Sequence, residues 1–278
     1  MGSYPSFGVL LTRLMDHRRL DVSGLSAASG IPEVDLGSLA SGVPPLAWQI
    51  DALAPALGIR AADLYVIADV QLPLALAPLD PAAGSIAVSV VQITMALPSG
   101  QRARVRGLVE QAPQDAQSSP PDLPQAYDQR GAGFGAMLAN LLCGNRNLRS
   151  LTAAARALAL LTGGRLYLAA ATISGIGRGR VPLTPDRVAG FAVTLGIPVS
   201  DLAVVVGVGL VEPPCPEDPL TAEMASLLWD CRRLTAAQVG HIRDEAEAML
   251  VPVPDNAPSE AWNRVYHHHG TWWGAQKG

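Results

Sequence analysis

The sequence predicts an all-α protein built from two tandem copies of one helix-turn-helix unit, each followed by a helical pair. Three observations carry that prediction. Apolar residues make up 49% of the chain and aromatic residues only 5%. Its cores must therefore be built from Ala, Leu and Val, which at helical spacing favours closely packed helices over a sheet. Apolar positions recur at i, i+3, i+4 and i+7, and one pattern of helices and turns occurs twice.

The duplication is plainest between "DLGSLASGVPPLAWQIDALAPALGIRAADL" (35 to 64) and "TISGIGRGRVPLTPDRVAGFAVTLGIPVSDL" (172 to 202). Ahead of the turn, Leu36 pairs with Ile173, Leu39 with Ile176 and Gly42 with Gly179. Past one extra residue, Ile50 pairs with Val188, Leu57 with Leu195, Gly58 with Gly196 and Asp63 with Asp201. Upstream, "FGVLLTRL" (7 to 14) matches "FGAMLANL" (134 to 141). Downstream, "ALPSGQRARVRGLVEQA" (96 to 112) follows the pattern of "RLTAAQVGHIRDEAEAM" (233 to 249).

The elements follow in order. Phe7, Leu10, Leu11, Leu14 and Met15 form one apolar stripe, which predicts a helix over 7–18. Ser23 suits the N-cap of a short second helix to Ser29, broken by Gly30. Pro32 suits the first turn of a third, to about Ser41, which Gly42 ends. A fourth helix is expected from Trp48 to Leu57, stopped by Gly58, and a shorter fifth from Ala62 to Ala68. Short helices joined by a Gly turn are the helix-turn-helix arrangement. Further helical pairs are expected near 82–96 and 99–111, and near 220–232 and 235–249. The expected organisation is a first unit with its pair at 1–111, a Pro-, Gln- and Ser-rich linker at 112–133, a second unit with its pair at 134–250, and a Pro-, His- and Trp-containing tail at 251–278. A chain of 278 residues suits two cores of modest size.

Several classes are excluded on simple grounds. The longest apolar runs, Ile86 to Leu97 and Leu202 to Val211, fall short of the ~20 residues of a membrane span. The N-terminal segment has no basic stretch before an apolar one, so a cytoplasmic location and no membrane partner are expected. Cys143, Cys215 and Cys231 are widely spaced, which suggests buried thiols and neither a disulfide framework nor a zinc site. Outside the tail the only histidines are His17 and His241, and neither lies in a nucleophile–base motif, so no enzyme and no cofactor are expected. "GIGRG" lacks both the preceding strand and the spacing of a phosphate-binding Gly loop. His267, His268 and His269 are adjacent and diverge in direction, without a further ligand to complete a metal site.

The segment "LSAASGIPEVDLGSLASG" resembles the second and third helices of the Cro/cI-like (XRE) helix-turn-helix family, whose fold is that of the lambda repressor. "TISGIGRGRVPLTPDRVAGFAVTLGIPVSDL" is similar to that family's third to fifth helices. The resemblance covers about 65 residues in each copy and omits the helical pairs, the linker and the tail. It implies a DNA-binding transcriptional regulator in which the third helix enters the major groove. The helix ends and the following loop would hold phosphates. In copy two the implied DNA-facing residues are Thr172, Ser174, Arg178, Arg180, Arg165, Arg146 and Arg149.

Both copies depart from the family pattern. Copy one places Pro32, Glu33 and Asp35 at the reading positions. Over 7–70 it has four arginines against seven acidic residues, net −3, which disfavours phosphates. Copy two has seven arginines against two aspartates over 134–210, net +5, the footprint of a DNA-contacting module. Its reading positions, though, are Ala169, Ala170 and Ala171, which cannot make bidentate base contacts. With Leu25 paired to Leu151, "ALALLTGGRLY" is an insertion of about eleven residues between its second and third helices.

Arg178 and Arg180 either hold phosphates or complement a helix dipole. Trp48, Trp272 and Trp273 are candidate partner contacts, the last two either docked on the second unit or exposed as a hook. Two functional readings follow. One is a sequence-specific regulator that binds double-stranded DNA, with the fused copies imitating a two-fold dimer. The other is a protein–protein interaction or assembly module that has lost base reading, with a homodimer or another protein as partner.

Overall fold

Phe7, Leu10, Leu11 and Leu14 are buried along one face of α1 (Phe7–Arg18), as their spacing requires. A computed structural model describes residues 4–113, 127–209 and 218–250 of the chain. Those residues form helices throughout, with no strand among them. None of these helices is long and apolar enough to cross a membrane.

In unit one, α1 is followed by α2 (Val22–Ser29), α3 (Glu33–Ala40), α4 (Ala47–Ala56) and α5 (Ala61–Ile67). After a short 3₁₀ turn come α6 (Ala83–Ala96) and α7 (Ser99–Gln111). The second copy opens with the single turn α8 (Gln129–Ala132) and continues through α9 (Phe134–Asn140), α10 (Leu151–Leu161), α11 (Ala170–Gly177), α12 (Pro185–Leu195) and α13 (Val199–Val206). Its helical pair is α14 (Pro219–Cys231) and α15 (Ala236–Ala248).

The copies share their packing as well as their pattern. In unit one, α1 packs on α3, α2 on α3 and α4, and α4 on α5. In unit two, α9 packs on α11, α10 on α11 and α12, and α12 on α13. The repeated Phe-Gly dipeptide explains one of these contacts. A Cβ on Gly8 would lie 2.0 Å from the Leu39 carbonyl oxygen, and a Cβ on Gly135 would lie 2.3 Å from that of Ile176. Only glycine lets the first helix approach the backbone of the third so closely, and the sequence repeats it in both copies.

The structure revises four local expectations. Asp21, not Ser23, caps α2, its carboxylate accepting from the Gly24 N–H at 2.7 Å. Pro32 is itself the N-cap, so α3 starts at Glu33. Leu151 opens α10 whereas Leu25 is fourth in α2, so the two do not correspond. The extra material after them is divided between a helix of 11 residues against 8 and a connection over 162–169 against one over 30–32. Helix α9 also continues into a π turn, Leu141–Asn145. That turn absorbs one residue: Phe134 and Arg146 are twelve apart, Phe7 and Arg18 eleven.

The two units form one continuous apolar core, in place of the two separate cores expected. Between them α1 packs on α13, and reciprocally α9 and its π turn pack on α5. This is the contact pattern of a two-fold dimer, formed within one chain. The pairs α6–α7 and α14–α15 join into a four-helix bundle, which rests on α10 and α12 of unit two. Gly84 of α6 fits against the Asn147 carbonyl, where a Cβ would come within 1.8 Å.

Candidate nucleic-acid interface

A pair of arginine–aspartate locks holds the two units in a fixed relation. Arg18, at the end of α1, donates to the Leu57 carbonyl of its own unit and to Asp201 of α13, through Nε at 3.2 Å and through Nη2. Arg146, just past the π turn, donates to the Leu195 carbonyl of its own unit and to Asp63 of α5, one bond of 2.8 Å and a second through Nη1. Leu57 corresponds to Leu195, and Asp63 to Asp201, so one constellation is built twice. The extra residue of the π turn brings Arg146 to the place that Arg18 holds in unit one. Each planar guanidinium takes a carboxylate fork and a helix-terminal carbonyl, which a lysine cannot do with the same geometry.

The locks differ in depth. Arg146 and Asp63 are 1% and 0% exposed, while Arg18 and Asp201 are 22% and 7% exposed. Asn145 adds to the buried lock, donating to Asp63 Oδ1 at 2.9 Å and to the Ala62 carbonyl at 2.7 Å. Above it, Trp229 of α14 has the guanidinium carbons of Arg60, Arg146 and Arg232 at 4.5, 4.6 and 3.8 Å from its ring centroid. The negative face of the indole and the carbonyls of Leu195 and Leu76 offset the mutual repulsion of these cations. Burial lowers the Arg60 pKa and lowers that of Arg232 to about 9. Trp229 thus ties the helical bundle to the seam.

With the seam fixed, the outward faces of the two units can be compared. In unit two, Arg178 is the C-terminal cap of α11, Gly179 turns the chain with φ +67°, and Arg180 follows. Both arginines are exposed, and neither is in an ion pair among the described residues. Arg165 is exposed on the long connection before α11, its Nε donating to the Thr162 carbonyl at 3.1 Å. Arg187, in the first turn of α12, donates to the Pro182 carbonyl at 2.6 Å and likewise has no carboxylate partner among the described residues. Thr172 and Ser174 are half-buried on α11, and Ala169 and Ala171 are exposed at its start.

The remaining DNA-facing expectations land elsewhere. Arg146 is buried and turned away from any phosphate, because its guanidinium is taken up by Asp63 and the Leu195 carbonyl. Arg149 is half-buried and lines, with Asp69, Tyr127 and Leu151, a seam cavity of about 470 Å³. Of the expected basic stripe, Arg165, Arg178 and Arg180 are exposed, and half-buried Arg187 lies in the first turn of the following helix. Arg187 is an addition that the family resemblance does not supply.

Unit one presents a different surface on the equivalent elements. Between residues 20 and 59 it has no Arg, Lys or His, and Glu33 and Asp51 are exposed. The positions matching Arg178 and Arg187 are Ser41 and Gln49. Val34, Val43, Leu46 and Trp48 are exposed in the α3–α4 stretch, Val34 at 75% and Trp48 at 50%. Trp272, Trp273 and the three tail histidines lie outside the described residues, as does Cys215. Among the described residues no group of three His, Cys, Asp or Glu side chains is placed to hold a metal.

The residues of the seam escape a reading based on charge and family pattern. Asp63 and Asp201 do occupy matching places in the repeat, an acidic residue retained in both copies while the surrounding charge changes sign. That retention is the signal for the lock. Comparison of the chain with family models, with curated proteins and with solved structures finds no match in any of the three.

Proposed function

We propose that this chain is a DNA-binding transcriptional regulator of the Cro/cI-like type, an internal dimer in which unit two supplies most of the phosphate contacts. The observation that carries the reading is the set of exposed arginines without carboxylate partners among the described residues at the end of α11 and around it, Arg165, Arg178 and Arg180, with half-buried Arg187 in the next helix. Such a set offers phosphate oxygens charge-assisted hydrogen bonds at the end of the helix that this fold places in the major groove. The reciprocal α1–α13 and α5–α9 packing supports it, because a two-fold relation between reading helices is how single-unit relatives of this fold address two half-sites.

The alanines at the start of α11 have a consequence for specificity. They offer methyl contacts to thymine and no bidentate pairing, so affinity rests on phosphates and on DNA shape more than on base edges. Arg178→Ala with Arg180→Ala should weaken binding to all duplexes alike and lower the steepness of the salt dependence by about two contacts' worth. The fold should survive, since both side chains are exposed. Unchanged affinity in the double variant would refute the assignment.

A second reading, an assembly module without DNA binding, is favoured by the exposed Val34, Leu46 and Trp48 on the equivalent face of unit one. A soluble domain gains nothing by leaving such side chains in water unless a partner covers them.

A further inference from the structure

We propose that the α3–α4 face of unit one docks on the α11–α12 face of unit two in a second copy of this chain. The two faces are built from corresponding helices and carry opposite charge.

On the first face, Glu33, Asp35 and Asp51 stand among Val34, Val43, Leu46 and Trp48, with no basic residue between positions 20 and 59. On the second, α11, α12 and the connections next to them carry Arg165, Arg178, Arg180 and Arg187 together with exposed Tyr167, and Asp186 is the lone acidic residue between positions 157 and 200. The acidic face therefore has no cation, and the basic face has four arginines against the single carboxylate of Asp186. Each has an exposed apolar or aromatic component, Trp48 at 50% on one side and Tyr167 at 53% on the other. Burying these removes apolar surface from water, while pairing Glu33 and Asp35 with arginines selects the complementary face and fixes its register. Self-pairing of either face would instead set like charges against each other, which disfavours a contact between two identical faces.

Nucleic acid is excluded as the occupant of the acidic face by the same charges, because phosphates would meet carboxylates there. The basic face of another copy is the surface on the page with the complementary sign. The contact is heterologous, using two different faces of each molecule. One consequence rests on the DNA-binding reading: association covers the arginines proposed to take phosphates, so self-association and DNA binding exclude each other.

The test is sedimentation of the full chain without DNA, at about 50 mM salt where surface charges are weakly screened. This keeps it separate from any failure of the DNA reading. Wild-type chain should show a mass that rises with concentration and falls again on raising the salt. Arg178→Glu with Arg180→Glu should weaken association at least tenfold, and so should Glu33→Arg with Asp35→Arg. The two variants mixed in equal amounts should associate with each other, because one keeps the acidic face and the other the basic face. That cross-rescue also shows that both variants are folded. Wild-type chain that stays monomeric over the whole concentration range would overturn the proposal. So would a charge reversal that leaves association unchanged, or a mixture that fails to associate while circular dichroism shows both variants folded.

Discussion

Replacing Asp63 by alanine should cost far more stability than replacing Asp201, although the repeat gives both the same role. Asp63→Ala leaves the Arg146 guanidinium, 1% exposed, without its carboxylate and without access to water. The Leu195 carbonyl alone cannot compensate a buried cation, and the expected loss is about 3–5 kcal/mol. Asp201→Ala leaves Arg18, which is 22% exposed and keeps its bond to the Leu57 carbonyl, so the cation is partly solvated. There the expected loss is about 1–2 kcal/mol. For a protein stable by about 5–15 kcal/mol, the first loss is a large fraction of the whole. Urea unfolding followed by far-ultraviolet circular dichroism reads the difference. Asp63→Ala combined with Arg146→Met should recover a substantial part of the loss, since an apolar pair leaves no uncompensated charge. Equal losses at the two sites, or a loss below about 1 kcal/mol for Asp63→Ala, would show that depth of burial does not set the cost.

Other predictions concern close packing, thiols and capping. Gly8→Ala should destabilise by about 1–3 kcal/mol or more, because its methyl meets the Leu39 carbonyl at 2.0 Å. Gly37→Ala, inside α3 with open space around it, should stabilise by about 0.5–1 kcal/mol; thermal unfolding of the two variants should move in opposite directions. Burial pushes the Cys143 and Cys231 thiols up to about 12. Their folded pKa is raised, so each contributes stability that is complete below the ordinary thiol range. It is lost at about 1.4 kcal/mol per pH unit per thiol as pH rises from there towards 12. In a Cys215→Ser background a thiol reagent at pH 8 should react with the unfolded chain and spare the native one; fast native reaction would contradict the burial. Thr235→Ala removes the capping box with Gln238 and should cost about 1 kcal/mol in thermal or urea unfolding.

Much of the fold is legible in the sequence because its signals are local. The stripe of α1, the Gly stops and the Thr and Pro residues that open later helices act over one or two turns, and the helices fall within a residue or two of their expected bounds. The repeat adds long-range information: Gly8 and Gly135 mark the same close approach in both units, and Asp63 and Asp201 mark the same lock. What could not be read is how the copies meet. An arginine that serves a phosphate and one that serves a buried aspartate have the same letter, and the family resemblance places Arg146 among the former. Only the reciprocal seam, with the π turn advancing Arg146 by one residue, separates it from Arg178 and Arg180. The face of unit two is likewise set by the fold of the 162–169 connection, whose length is visible in the sequence and whose path is not.

In the proposed function, unit two holds DNA phosphates through Arg165, Arg178, Arg180 and Arg187. Fluorescence anisotropy of a labelled GC-rich duplex, titrated with the full chain from about 50 to 200 mM salt, tests it most directly. Log affinity should fall linearly with log salt, with a slope of magnitude about 3–4 if Arg165, Arg178, Arg180 and Arg187 each neutralise one phosphate. No binding at the lowest salt, or binding that does not change with salt, would rule out phosphate contact by these arginines.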